Sequence, residues 1–300
     1  MKRFSKMLEM FIIFVGLVVI LSCSNQSQDF SSNLVYDFSS DGEPIDVIIL
    51  AGQSNATGCC FSEDLREFVS PEDFELFTNG FENQKIIWYT DGSDFNMDSK
   101  LGEFSNVKFG QGVEKEYFGP EIGISYVMNK SKKNIAIIKY TSPGSYINKF
   151  VTKINMNTFI LNPCLEAFIV QSLQKIVNNG YSPTIKAICW MQGESDSINY
   201  EASIAYETKE KELISDIRYK FGKDIVFIDA KVTDWDLVLS KCYQDIVNEA
   251  KISISTNYHK NFMINSENLT KKNDDVAHYD ARSQFELGKL FGEMILSKCY

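Results

Sequence analysis

The sequence predicts an α/β protein: a three-layer α/β/α sandwich, flavodoxin-like, with a central parallel sheet of about five strands. Two observations carry this. Five short apolar runs recur along the chain, most of them rich in Ile and Val and without strict polar alternation. Strands buried on both faces have that composition. Helical patterns separate the runs, and strand–helix alternation favours a parallel sheet with right-handed crossovers. The chain has 300 residues, 44% of them hydrophobic, which suffices for one such core with insertions.

The N-terminal segment stands outside that fold. Lys2, Arg3 and Lys6 precede an apolar run, Phe11 to Leu21, that is short for a bilayer span. Ile20-Leu21-Ser22-Cys23 closes the run, so residues 1–22 read as a bacterial lipoprotein signal peptide cleaved before a lipidated Cys23. Residues 23–44 are rich in Ser, Asn, Gln and Asp and read as a flexible tether. The expectation is an exported lipoprotein, anchored on the periplasmic face or the cell surface, with a domain over residues 45–300.

The strand candidates are Asp46–Ala51, Ile135–Tyr140, Ile185–Met191, Ile225–Ala230 and Asn261–Asn265. The helical candidates are Glu121–Lys130, Leu165–Asn178, Tyr200–Tyr219, Leu239–Ile252 and Ala281–Ser297. Residues 57–119 break the rhythm and read as an insertion over the C-terminal edge of the sheet, with a hairpin near Lys85–Thr90. It brings Phe61, Phe68, Phe74, Phe77, Trp88 and Tyr89, with Arg66 and Lys85, as side chains that could meet a substrate.

The net charge of −10 argues against nucleic acid, whose phosphates need clustered Lys and Arg. Seven cysteines include no C-x-x-C pair, so neither zinc nor dithiol redox chemistry is supported, and no metal or cofactor is expected. Cys189, inside an apolar run, reads as an inert core thiol.

The candidate nucleophile is Ser54, in Ala51-Gly52-Gln53-Ser54-Asn55-Ala56, directly after the first strand. There a serine projects from the sheet edge, Gly52 allows a sharp turn, and the following backbone N–H groups can face an oxyanion. G-x-S-x-small alone is a weak motif, because many such serines only cap turns. A serine also needs a base. Only two histidines exist. His278, in Asp275-Val276-Ala277-His278, has an acid three residues ahead that can reach it from the same face of a helical turn. His259 has no such acid and reads as a surface or structural residue. The third strand leads into Trp190-Met191-Gln192-Gly193-Glu194-Ser195-Asp196, where an amide and two acids leave the strand together.

Four blocks in order, Ile49-Leu50-Ala51-Gly52-Gln53-Ser54-Asn55, Phe118-Gly119-Pro120-Glu121-Ile122-Gly123, Trp190 to Asp196, and Asp275-x-x-His278, resemble the sialate O-acetylesterase and acetylxylan esterase group. That group is carbohydrate esterase family 6 of the SGNH hydrolases, and the resemblance runs from about Asp46 to the C-terminus. It implies an SGNH hydrolase fold and a serine esterase removing O-acetyl groups from carbohydrate, sialic acid or a polysaccharide such as xylan. Ser54 would be the nucleophile and His278 the base. Asp275 would orient His278, with Glu194 as the second candidate. The oxyanion hole would be built from the N–H of Ser54, the N–H of Gly144 and the side chain of Gln192. Ser145 stands where the group often has a second glycine. The competing expectation is an inactive carbohydrate-binding lipoprotein of the same fold, against which Ser54, Asp275 and His278 all being present argues.

Overall fold

The computed structural model describes residues 35–91, 102–155, 158–232, 242–273, 275 and 277–300. The expected signal peptide, Cys23 and the first part of the tether lie outside the described residues, as does the start of the helix expected from Leu239. Among the described residues, no helix is long and apolar enough to cross a membrane.

Among the described residues, strand β1, Glu43–Gly52, is the first in sequence but the fourth of seven in space. The sheet also contains β3 (Gln84–Thr90), β4 (Ser105–Asn106), β6 (Ile135–Thr141), β9 (Tyr181–Met191), β10 (Val226–Ala230) and β11 (Asn261–Ile264). Their order is β11-β10-β9-β1-β6-β3-β4, and every pairing is parallel except β3 with β4. All five expected strands lie in this sheet. The two additional ones come from the supposed insertion. Gln84–Thr90 does pair antiparallel with the next strand, through Lys85↔Asn106 and Ile86↔Ser105, but its longer pairing is inside the main sheet, parallel with β6 from Gln84↔Ile135 to Thr90↔Thr141. Its Ile86, Ile87 and Trp88 are buried. The long and varied connections on either side of it hide this strand from a strand–helix count. Two small ribbons stand outside the sheet, β2 (Cys60–Phe61) with β5 (Tyr117–Phe118), and β7 (Val151–Asn155) with β8 (Thr158–Leu161).

Alternate residues of each central strand enter opposite cores, which is why the strands read as unbroken apolar runs. On β1, Ile48 and Leu50 face one cluster while Val47, Ile49 and Ala51 face the other. The first cluster is covered by α3 (Pro120–Lys130) and α7 (Ala281–Cys299), through Ile122, Met128, Phe285 and Phe291. The second is covered by α4 (Pro163–Asn178), α5 (Tyr200–Phe221) and α6 (Gln244–Asn257), through Ile169, Leu213, Ile217 and Ile254. The helix starts are marked by side-chain caps: Asn162 on Cys164 N, Asn199 on Ala202 N and Asp280 on Ser283 N. Helices α3 and α7 touch at glycines. A Cβ on Gly123 would lie 2.3 Å from Phe285 O, and one on Gly288 would lie 2.2 Å from Pro120 O.

The folded body starts earlier than the expected boundary at residue 45. Tyr36 N donates to Lys220 O at 2.8 Å, its hydroxyl bonds Glu166 Oε1 at 2.8 Å, and its ring stacks 5.1 Å from that of Phe221. The polar composition that reads as a tether carries no sign of these contacts, because their partners lie far away in sequence. Chain order also places a switch beside β1: β3 and β6 lie to one side, and the chain then crosses to β9 on the other. Crevices at the C-terminal ends of such strands are where doubly wound sheets hold ligands.

Candidate active site

Ser54 opens helix α1, Ser54–Thr57, at the C-terminal end of β1. Gly52 makes the turn possible. Its φ is +145°, and a Cβ there would stand 1.9 Å from Met191 O, so neither the conformation nor the space admits a side chain. Gln53 O then accepts from Ala56 N and Thr57 N, both at 2.9 Å. At the far end of α1, the Thr57 carbonyl accepts from Lys139 Nζ at 2.7 Å. Lys139 projects from β6 and is fully buried, as is its partner Glu121, whose Oε2 lies 2.7 Å away. Burial pushes the Lys139 ammonium down in pKa, and the Glu121 charge and hydrogen bond pull the other way. Glu121 Oε1 takes the N–H of Gly119 at 2.8 Å. The Gly119-Pro120-Glu121 block and Lys139 together brace the nucleophile turn.

His278 lies in the loop before α7, with Nδ1 2.5 Å from Asp275 Oδ2. The expected turn carries a backbone hydrogen bond from His278 N to Asp275 O at 3.4 Å, and an Asx contact adds to it, Asp275 Oδ1 accepting from Ala277 N at 3.0 Å. Both oxygens of Asp275 therefore face this loop. Partial burial pushes the Asp275 carboxyl up, but the hydrogen bonds from His278 and Ala277 N outweigh it and hold its pKa below the ordinary value.

Asn55 joins the serine turn to the histidine loop. Its Nδ2 donates to Ala277 O at 3.2 Å, and its Oδ1 accepts from Tyr279 N at 3.2 Å, so it grips the backbone on both sides of His278. The same Nδ2 donates to Glu194 Oε1 at 2.8 Å. Gln284, in the first turn of α7, donates to Asn55 O at 2.9 Å. Sequence reading missed Asn55. Its place one residue after Ser54 was visible, but its partners are more than 130 residues away.

Glu194 thus contacts Asn55 rather than the ring of His278. It is buried, with Oε2 unpartnered, and burial raises its pKa against the hydrogen bond from Asn55. The two candidate acids diverge: Asp275 is held ionised beside the ring, and Glu194 is biased toward the neutral acid.

Gln192, the expected side-chain oxyanion donor, is engaged within the protein. Its amide nitrogen already faces three acceptors, Asp196 Oδ2 at 2.7 Å, Ser145 O at 3.1 Å and Gln53 Oε1 at 3.3 Å. Two amide hydrogens shared among three acceptors leave none for a ligand. Burial pushes the Asp196 carboxyl up to about 6, against the hydrogen bonds from Gln192 and Ile147 N. Gly144 occupies the turn after β6 and faces open space.

Several other candidates take structural places. Phe74, Phe77 and Trp88 are core residues, Arg66 pairs with Glu63, and Lys85 bonds Asn106. His259 is exposed, and Cys189 is sealed in the core with its pKa raised by burial. No disulfide joins the described cysteines. Two concavities, of about 350 and 410 Å³, include neither Ser54 nor His278 in their linings. The hydrogen-bonded constellation, not hollow volume, marks the site.

A family model described as carbohydrate esterase, sialic acid-specific acetylesterase, matches residues 44–297. No curated protein sequence matches the chain. Three solved structures share the fold at low identity. A protein from Arabidopsis thaliana has a TM-score of 0.62 and 18% identity, over 86% of this chain and all of its own. NanS has a TM-score of 0.59 and 13% identity, over 86% of this chain and 98% of its own. A carbohydrate acetylesterase from Xanthomonas citri has a TM-score of 0.57 and 12% identity, over 85% of this chain and 57% of its own. With the four sequence blocks converging on one sheet edge and the family match spanning nearly the whole sheet, the chain belongs to the sialic acid-specific acetylesterase family of carbohydrate esterases, and so to the carboxylic ester hydrolases.

Proposed function

We propose that this chain removes O-acetyl groups from carbohydrate by a Ser54–His278–Asp275 acyl-enzyme mechanism. The observation that carries the reading is the 2.5 Å contact of His278 Nδ1 with Asp275 Oδ2, in a loop tied by Asn55 to the turn bearing Ser54. An ionised Asp275 fixes the proton on Nδ1 and leaves Nε2 free as a base. Ser54 gives its proton to His278 as its oxygen attacks the acetyl carbonyl. The C–O bond to the sugar then breaks, and the sugar alcohol leaves with that proton. Water, deprotonated in turn by His278, hydrolyses the acetyl-enzyme to acetate. Backbone N–H groups of Ser54 and Gly144 serve the oxyanion in this reading.

The substrate is an O-acetylated sugar, sialic acid or a polysaccharide such as xylan. Tyr146 and Tyr200, both exposed, follow β6 and β9 at the sheet edge and offer flat faces suited to pyranose rings. Acetate release from O-acetylated sialic acid, acetylated xylan and other acetylated glycans separates the candidates. Activity should fall at least about 10³-fold in Ser54→Ala and in His278→Ala. Full esterase activity in a folded Ser54→Ala would remove the assignment, and no acetate from any ester would favour the carbohydrate-binding reading. Export through a lipid on Cys23 belongs to the same proposal, and Cys23→Ser should move the protein from the membrane fraction to the soluble fraction.

A further inference from the structure

Gln53 immediately precedes Ser54, and the residue as a whole is 2% exposed. Its side-chain oxygen accepts from three donors: Ser195 N at 3.2 Å, Gln192 Nε2 at 3.3 Å and Gly193 N at 3.4 Å. The amide cannot flip, because a flip would press its NH2 against three N–H groups. The nitrogen is therefore fixed, yet among the described residues it makes no hydrogen bond. Nor is it sealed inside the protein. The buried unpartnered side-chain atoms of this region are Gln192 Oε1, Glu194 Oε2 and Asp196 Oδ1, all of them acceptors.

The WMQGESD loop thus spends its donors on holding one neighbour of the nucleophile. Gln192 is saturated, and Gln53 is left with a rigid unused N–H2 group beside Ser54. We propose that Gln53 Nε2 is the side-chain donor to the acyl oxygen, joining the Ser54 N–H as the carbonyl turns into an oxyanion. A donor held before the reaction needs no reorganisation when charge develops, and that is the condition for a large effect on kcat. The inference rests on the esterase reading above. It assigns the donor role to Gln53 rather than Gln192, which acts as a positioning residue.

Gln53→Glu tests it. The glutamate keeps an oxygen for Gly193 N, Ser195 N and Gln192 but loses the donor. On a chromogenic acetyl ester, kcat should fall about 10²–10³-fold, with KM within threefold and an unchanged thermal midpoint. Gln53→Met, which has neither donor nor acceptor, should lose at least as much and should also melt earlier, because the loop loses its anchor. A second readout separates contact from scaffolding. Sulfur accepts hydrogen bonds poorly, so the wild-type preference for an acetyl ester over its thionoester should shrink severalfold in both variants. The proposal is overturned if Gln53→Glu keeps kcat within threefold of wild type, or if the oxygen-to-sulfur preference is unchanged in both variants. A wild-type chain that cleaves no acetyl ester overturns the esterase reading itself, and this inference with it.

Discussion

At Asp275 two effects oppose each other. Burial favours the neutral acid, and the hydrogen bonds from His278 and Ala277 N favour the carboxylate and prevail. At Glu194 complete burial prevails over the hydrogen bonds from Asn55 and a backbone N–H and over the more distant Lys251 and His278 charges. The same chemical group is therefore driven in opposite directions at two positions a few side chains apart. Asp275→Asn should lower kcat by about 10³–10⁴-fold, by analogy with serine triads in which the orienting acid is neutralised. Glu194→Gln retains an oxygen for Asn55 Nδ2 and should stay within about tenfold of wild type. Steady-state kinetics on one acetyl ester checks both, and the reverse order would make Glu194 the orienting acid. In sequence, both acids sit in promising motifs, and only their partners separate them. The Asp275 contact was legible because it spans three residues. The Asn55–Glu194 contact spans 139 residues and left no local trace.

Among the elements, β1, β6, β9 and the helices that cover them were readable because each carries its own hydrophobic period. Strand β3 was not, since only the short helix α2 (Pro71–Asn79) and irregular segments flank it, and its partner β6 lies 45 residues on or more. Elements also set the nucleophile's height above the sheet. Helix α1 is one turn long, too short to hold itself, and is braced at its end by the Lys139 ammonium, which also donates to Gln111 O at 2.6 Å. Lys139→Met leaves the Glu121 carboxylate buried without its cation, and should cost about 3–5 kcal/mol of folding stability. Pairing it with Glu121→Leu removes the stranded charge and should recover a large part of that loss. Urea unfolding of the two variants measures the difference. An equal or greater loss in the double variant would mean that the backbone contacts of Lys139, not the ion pair, hold the turn.

For the whole molecule, the sheet order makes the first strand in sequence the central one, flanked by β6 and β9. The N-terminal boundary therefore matters to the entire fold. A chain beginning at residue 35 keeps the Tyr36 contacts with Lys220, Glu166 and Phe221. One beginning at residue 43 loses them, and should be less stable by about 2–4 kcal/mol. Thermal midpoints several degrees apart are expected, and equal midpoints would return residues 35–42 to the tether. The sequence by itself determined the fold class, the esterase family, Ser54 as the candidate nucleophile, and His278 with Asp275. Those features rest on local periodicity and on short motifs whose members are neighbours in the chain. Only the tertiary structure decided that β3 belongs to the sheet, that Asn55 ties the serine turn to the histidine loop, and that Gln192 supports Gln53. Each of these depends on hydrogen bonds or strand pairings between distant segments, and a distant partner changes nothing in the pattern of the residues beside it.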